Sequence, residues 1–129
     1  MIDRTLIVDA IEQSWSKDTS AVPDEWNADN PSRGQCDVSS FVLWELAGGN
    51  LVLAEVFIDG ERSEHHYWNR LDSGDIDLTR GQFTNGEEIR EKMVLPNDDI
   101  AANAPTMRHE QRIRIGALRD SVHRRLAAG

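Results

Sequence analysis

Hydrophobic residues recur at the spacing of a helix in three parts of the chain. Residues 3 to 15 carry apolar side chains every three or four positions, which predicts an amphipathic helix. Residues 36 to 47 repeat this pattern and end at the pair Gly48-Gly49, a common helix stop. A final helix is predicted from five regularly spaced positions: Gln111, Ile115, Leu118, Val122 and Leu126.

The middle of the chain has the pattern of a β-meander. Three strands are predicted, over residues 50–58, 64–71 and 75–78. Asp59-Gly60 and Asp72-Ser73-Gly74 mark the turns between them. Residues 84 to 105 are expected to be mostly loop, with a short helix over 87–93. These elements predict an α+β fold in which helices, including the C-terminal one, pack on one face of an antiparallel sheet.

Length and composition predict one globular domain over residues 1–129. Hydrophobic residues make up 39% of the 129, enough for a core, and no apolar run is long enough to span a membrane. The N-terminal residues lack the pattern of a secretory signal, so we expect a cytoplasmic protein. The oligomeric state is left open.

The charge distribution argues against nucleic acid as a partner. Net charge is −9, and residues 108–129 hold six arginines and two acids, so residues 1–107 are strongly acidic. Such a surface repels phosphate backbones. Phosphate-loop and dinucleotide fingerprints are absent, so no cofactor is expected.

Cys36, the only cysteine, stands at the start of the second predicted helix. Helix-start amides favour the thiolate, so we expect a partly exposed and reactive thiol. Asp37 opposes ionisation unless its side chain turns away. A buried, inert thiol is the alternative interpretation.

The histidine pair His65-His66 lies within a predicted strand, where alternation sends the two rings to opposite faces. The turn before the third strand permits a register that places His66 directly opposite Asp77. Asp77 would then orient His66, and His66 would accept the proton of Cys36. His65 is the competing base. A zinc site made by Cys36, His66 and Asp77 is considered but not favoured, because no further ligand supports it.

Several motifs between residues 11 and 83 resemble the YunG-like family of small bacterial proteins. The matching residues are Trp15-Ser16, Asn30-Pro31, Gly34-Gln35-Cys36, Gly48-Gly49, His66-Tyr67-Trp68-Asn69, Asp77-Leu78-Thr79 and Gln82-Phe83. The resemblance implies a papain-like or NlpC-like core with Cys36 as nucleophile, His66 as base and Asp77 as orienting acid. The second histidine and the acid after the cysteine depart from the family pattern.

Papain-like enzymes place an amide donor for the oxyanion a few residues before the nucleophile, so the resemblance makes Asn30 and Gln35 candidates. Trp68 is a candidate pocket residue. Gln82-Phe83 is interpreted as a structural contact across the sheet edge.

Two functions are carried forward. The first is a cysteine-dependent hydrolase or acyltransferase acting on an amide, peptide or γ-glutamyl bond of a small molecule or peptide. The second is a non-catalytic papain-like module that binds a ligand or partner. One sequence does not separate them.

Overall fold

The computed structural model describes residues 3–104 and 107–128. Four helices are present: α1 (Arg4–Gln13), α2 (Cys36–Ala47), α3 (Asn97–Asn103) and α4 (His109–Ala128). Four strands are present: β1 (Asn50–Ile58), β2 (Glu61–Leu71), β3 (Gly74–Ile76) and β4 (Glu88–Leu95). The predicted α+β class is confirmed.

The strands form one antiparallel sheet in the order β3-β2-β1-β4. The hairpin between β1 and β2 turns at Asp59 (φ 52°) and Gly60 (φ 83°). Two consecutive residues with positive φ match the right-handed twist of the flanking strands. This hairpin sets the register that places Ala54 opposite His66.

The helices cover one face of the sheet. Their core consists of buried side chains from all four helices and β1: Ile7, Ala10, Ile11, Val38, Phe41, Val42, Leu43, Leu51, Ile100, Ile115, Leu118 and Val122. α4 contacts chiefly α1 and α2. The prediction that it packs directly on the sheet is wrong, because α2, which contacts β1 and β2, lies between.

The other face of the sheet holds a smaller apolar cluster of Val52, Ala54 and Trp68, with Ile89 beside it. His66 lies on this same face, because it pairs with Ala54 and alternates with Tyr67.

The predicted loop and short helix over residues 84–105 are wrong for residues 88–103, and residue 105 lies outside the described residues. This segment contains strand β4 and helix α3. Half of the eight residues of β4 are charged, and the strand pairs with β1 along one side. Exposed edge strands are commonly charged, which removes the alternating pattern by which strands are recognised.

The long segment between α1 and α2 contains two short 3₁₀ helices, Lys17–Thr19 and Pro23–Glu25. β3 ends at Ile76, so the edge of β2 that includes Tyr67 is not paired with a strand on that side. This uncovered edge determines where the candidate site forms.

Candidate active site

A glycine turn positions the start of α2. Gly34 has φ 76°, and a Cβ there would come within 2.8 Å of Val22 Cγ2. Its carbonyl accepts a hydrogen bond from Ala21 N at 2.9 Å. Only glycine combines this conformation with such a close approach, so Gly34 fixes the point at which the helix begins.

Cys36 begins α2 and lies against the uncovered edge of β2. The backbone N–H of Tyr67 points at the Cys36 sulfur. This N–H is free for the thiol because β3 has ended and the strand edge has no partner there. The thiol reaches the sheet from the helix side and at an edge.

The thiol of Cys36 is neutral in this arrangement. Burial is the largest cause that raises its pKa to about 12, and the charge of Asp37 adds to this. The Tyr67 N–H acts in the opposite direction, with a smaller effect. Cys36 as a residue is half-buried, in line with the expected partial exposure. The raised pKa does not favour the expected easily ionised thiol, because burial of the sulfur and the acidic neighbours outweigh the Tyr67 N–H.

Asp37 turns away from the thiol, toward α4. Arg114 donates to its two carboxylate oxygens at 3.1 and 2.9 Å, and Gln111 donates to it at 3.1 Å. The ion pair is mostly buried on both sides. Asp37 thus ties the first turn of α2 to α4.

His66 is fully buried and contacts Asp77. Its Nε2 lies 2.8 Å from Asp77 Oδ2. The predicted direct pairing is wrong in register: Asn69 lies opposite Ile76, which shifts Asp77 two positions along the strand. A shift of two keeps both side chains on one face, and diagonal neighbours remain within reach of a long side chain.

Two further donors hold the Asp77 carboxylate: Thr79 N at 3.2 Å and Arg80 Nε at 2.8 Å. Burial raises its pKa, but the hydrogen bond and charge of His66, with Arg80, outweigh burial and lower it overall. An ionised Asp77 requires a hydrogen on Nε2, so neutral His66 has Nδ1 as its acceptor.

Nδ1 of His66 is buried and has no hydrogen-bond partner in the described part of the chain. The thiol of Cys36 therefore does not hydrogen-bond to it in this conformation. The predicted approach of sulfur to imidazole stays a prediction. The sulfur lies beside the backbone N–H of the next residue, Tyr67.

The two neighbouring histidines have different surroundings. His65 is exposed, whereas the His66 ring lies between Trp68 and Phe83, with centroids 5.8 and 4.9 Å away. Trp68 donates to Asp75 at 2.9 Å, and the Arg80 guanidinium covers its ring. The predicted pocket residue Trp68 thus lines the narrow cleft at Cys36 and also packs against His66.

The two predicted amide donors form hydrogen bonds elsewhere. Gln35 donates to Ser16 O at 3.0 Å and accepts from Thr19 Oγ1 at 2.7 Å. Asn30 donates to Gln82 O at 3.2 Å. These three bonds hold the segment before α2, so they do not favour the proposed oxyanion role of either residue.

Sequence reasoning missed the importance of Gln82 and Thr79. Gln82 Oε1 accepts from Gly34 N and Arg33 Nη1, both at 3.0 Å, while its Nε2 is buried without a partner in the described residues. Thr79 Oγ1 is likewise buried without a partner, and Thr79 lines a narrow cleft with Cys36. The motifs of the resemblance contained both residues, but no spacing rule assigned them a role.

A larger cavity of about 390 Å³ opens on the helix side of the sheet, next to this cleft. Tyr67 and Ser40 line both spaces. The remaining lining is mostly apolar and includes Phe41, Leu51, Leu53, Leu95, Ile100 and Met107. A cavity of this size can hold an apolar group of a small ligand.

Residues 3–104 and 107–128 contain no group of three His, Cys, Asp or Glu side chains arranged to hold a metal ion. Within the same residues, no helix has the length and apolar character needed to cross a membrane.

The fold and site define a small α+β domain in which a cysteine at a helix start lies against the strand that carries a buried histidine, and this histidine is bound to an aspartate. The family model described as "YunG protein" matches residues 3–127, and the chain belongs to this family. A relative in Bacillus subtilis (strain 168), "Uncharacterized protein YunG", is 30% identical over 73 residues. That match covers 57% of this chain and 56% of the relative. No solved structure matches the chain.

Proposed function

We propose that this protein is a cysteine-dependent hydrolase or acyltransferase acting on an amide, peptide or γ-glutamyl bond. Cys36 is the nucleophile, His66 the general base and Asp77 the residue that orients the base. A papain-like or NlpC-like core for this domain is part of the same proposal. The substrate is a small molecule or a peptide.

The observation that carries the proposal is the state of His66. A fully buried imidazole is bound to a carboxylate at Nε2 and, among the described residues, has no partner at Nδ1. Buried polar atoms are nearly always hydrogen-bonded, so an unpaired acceptor calls for a functional explanation. A proton acceptor beside a thiol is what nucleophilic attack by cysteine requires.

In the proposed reaction, His66 accepts one proton and then donates it, once in acylation and once in deacylation. As the sulfur of Cys36 attacks the substrate carbonyl carbon, its proton passes to Nδ1 of His66. The C–N bond then breaks, and the same proton passes from Nδ1 to the leaving amine, which leaves a thioester on Cys36. Water or an acceptor amine attacks the thioester and gives its proton to Nδ1, which returns it to the departing sulfur.

The raised pKa of Cys36 shapes this mechanism. A thiol with a pKa of about 12 is almost wholly protonated at neutral pH, so attack and proton transfer must be coupled. A small movement of the sulfur from Tyr67 N toward Nδ1 on substrate binding would provide that coupling. Asp77 stabilises the imidazolium that forms.

The apolar cavity next to the cleft indicates which kind of group is attached to the reacting carbonyl of the substrate. Its wall shares Tyr67 and Ser40 with the cleft at Cys36. A group attached to the attacked carbonyl would reach this cavity while the carbonyl stays at the thiol. We therefore expect acyl donors with an apolar side chain or short aliphatic chain.

The first test is acylation of Cys36 by p-nitrophenyl butyrate, followed by nitrophenolate release and by intact mass. His66→Gln retains an amide donor for Asp77 but removes the base. Loss of general-base catalysis should slow acylation by about 10²-fold or more. His65→Gln, the matched control on the exposed neighbour, should leave the rate within about twofold.

A peptide p-nitroanilide and γ-glutamyl p-nitroanilide then test amide cleavage. The proposal is wrong if wild-type protein acylates no faster than a short unstructured cysteine peptide at the same pH. It is also wrong if His66→Gln acylates as fast as wild type while remaining folded.

The alternative is a non-catalytic module that binds a ligand or partner. The raised pKa of Cys36 favours this alternative, since a buried neutral thiol also suits a purely structural position. A module of this kind would form no acyl adduct with any ester, and its thiol would be unaffected by His66→Gln.

A further inference from the structure

The described part of the chain leaves three buried side-chain atoms without a hydrogen-bond partner: His66 Nδ1, Thr79 Oγ1 and Gln82 Nε2. All three residues are at least nine-tenths buried. They belong to β2 and to the segment after β3, which adjoins Cys36 through Thr79. The proposed function uses the first of these atoms and leaves the other two unexplained.

The orientation of the Gln82 carboxamide is determined by its partners. Gly34 N–H and Arg33 Nη1 both donate to Oε1, at 3.0 Å each. A flipped amide would set two donors against its own NH₂ group, so the assignment of oxygen and nitrogen is unambiguous. Nε2 is therefore a donor held in place and available to an acceptor.

The location of Gln82 relates this donor to the reacting groups. Its Oε1 is bonded to the residue two positions before Cys36. The next residue, Phe83, packs its ring edge-on against His66 at 4.9 Å. Gln82 thus contacts the turn before the nucleophile, and its neighbour Phe83 contacts the ring of the base.

Resting on the proposed function, we propose that Gln82 is the side-chain donor that stabilises the oxyanion formed when Cys36 attacks a carbonyl. Nε2 of Gln82 donates to the substrate carbonyl oxygen together with a backbone N–H from the first turn of α2, since the first N–H groups of a helix have no partner within it. Gln35 and Asn30, the donors expected from sequence, are engaged in holding the segment before α2.

The deciding variant is Gln82→Glu. A carboxylate keeps an oxygen for Gly34 N–H and Arg33, but it places a second oxygen where Nε2 stood. Removal of one oxyanion donor typically costs 10²–10³ in rate. We expect acylation by p-nitrophenyl acetate to fall about 10²-fold.

A second reagent separates this effect from a change in the thiol itself. Methyl methanethiosulfonate reacts with Cys36 without a carbonyl, so it reports thiol reactivity alone. The ratio of the two rates, measured on the same folded sample, should fall about 10²-fold in Gln82→Glu. Asn85→Asp is the matched control, since it also turns an amide into an acid three residues from Gln82, at an exposed position, and its ratio should stay within about threefold of wild type.

Gln82→Met removes the donor without adding charge, and it should give the same loss in the ratio if Gln82→Glu does not fold. An unchanged ratio in a folded variant overturns the role of Gln82 and leaves the proposed function standing. Absence of any acyl adduct on wild-type Cys36 overturns the proposed function and this inference together.

Discussion

The pH dependence of Cys36 alkylation tests the neutral state of the thiol directly. Its pKa is raised from 9.0 to about 12. At pH 8 the thiolate fraction falls from about one in ten to about one in ten thousand, a change of about 10³-fold. A more basic thiolate is intrinsically more nucleophilic, with a Brønsted slope of about 0.4–0.5, which returns about 20–30-fold.

The net expectation is that iodoacetamide alkylates native Cys36 about 30–50-fold more slowly at pH 8 than it alkylates the unfolded chain. The native rate should keep rising tenfold per pH unit to at least pH 11, whereas the unfolded rate should level off above pH 9. Rates are read by intact mass after quenching, in buffer and in urea.

Asp37→Asn is the matched variant, because the charge of Asp37 is the second-largest cause of the raised pKa. It should speed native alkylation by about 3- to 10-fold, since removing a like charge makes the thiolate easier to form. The reasoning is refuted if native Cys36 alkylates at pH 8 as fast as the unfolded chain, or if its rate levels off near pH 7.

Three further predictions concern the surrounding residues. Asp77→Asn should cost about 1–3 kcal/mol in urea unfolding, more than a surface acid would, because Asp77 accepts from His66, Arg80 and Thr79 N; an unchanged midpoint would contradict this. Because the pKa of Asp77 is lowered in the folded protein, its contribution to stability is present above about pH 4 and is lost as the pH falls below that value. The loss of stability in acid should therefore be smaller in Asp77→Asn than in wild type. Leu53→Phe should shift the preferred p-nitrophenyl ester to a shorter acyl chain and Leu53→Ala to a longer one, because Leu53 lines the apolar cavity; identical chain-length profiles would place the acyl group elsewhere.

The positions of α2 and β1 follow from local sequence. The predicted ranges, 36–47 and 50–58, coincide with the observed elements Cys36–Ala47 and Asn50–Ile58. An apolar helical repeat followed by two glycines defines where the helix ends, and the run of branched and aromatic residues after them defines the strand. Both signals lie within a few residues of the element that they specify.

The association of His66 with Asp77 was predictable only in part. Alternation along β2 places His66 on one face, and any register shift by an even number keeps Asp77 on that face. The register itself depends on the turn before β3 and on where that strand stops. The predicted contact between His66 and Asp77 is therefore present although the predicted pairing is wrong by two residues.

β4 and α3 show where local pattern fails. The pairing with β1 identifies β4 as a strand. Its side chains are mostly exposed, half of them are charged, and apolar and polar residues show no clear alternation. Propensity and periodicity record a side chain's own preferences, whereas an edge strand is stabilised by hydrogen bonds to its neighbour.

The sequence by itself determined the identity of the candidate site, the helix that carries Cys36 and the face that carries His66. Tertiary structure alone decided that Cys36 meets the edge of β2, that burial of the sulfur raises the pKa of its thiol, and that within the described residues Nε2 of Gln82 has no hydrogen-bond partner while Gln35 has one. These properties depend on desolvation and on hydrogen bonds between residues far apart in the chain. Local sequence patterns contain no record of either, because both arise only when the segments pack together.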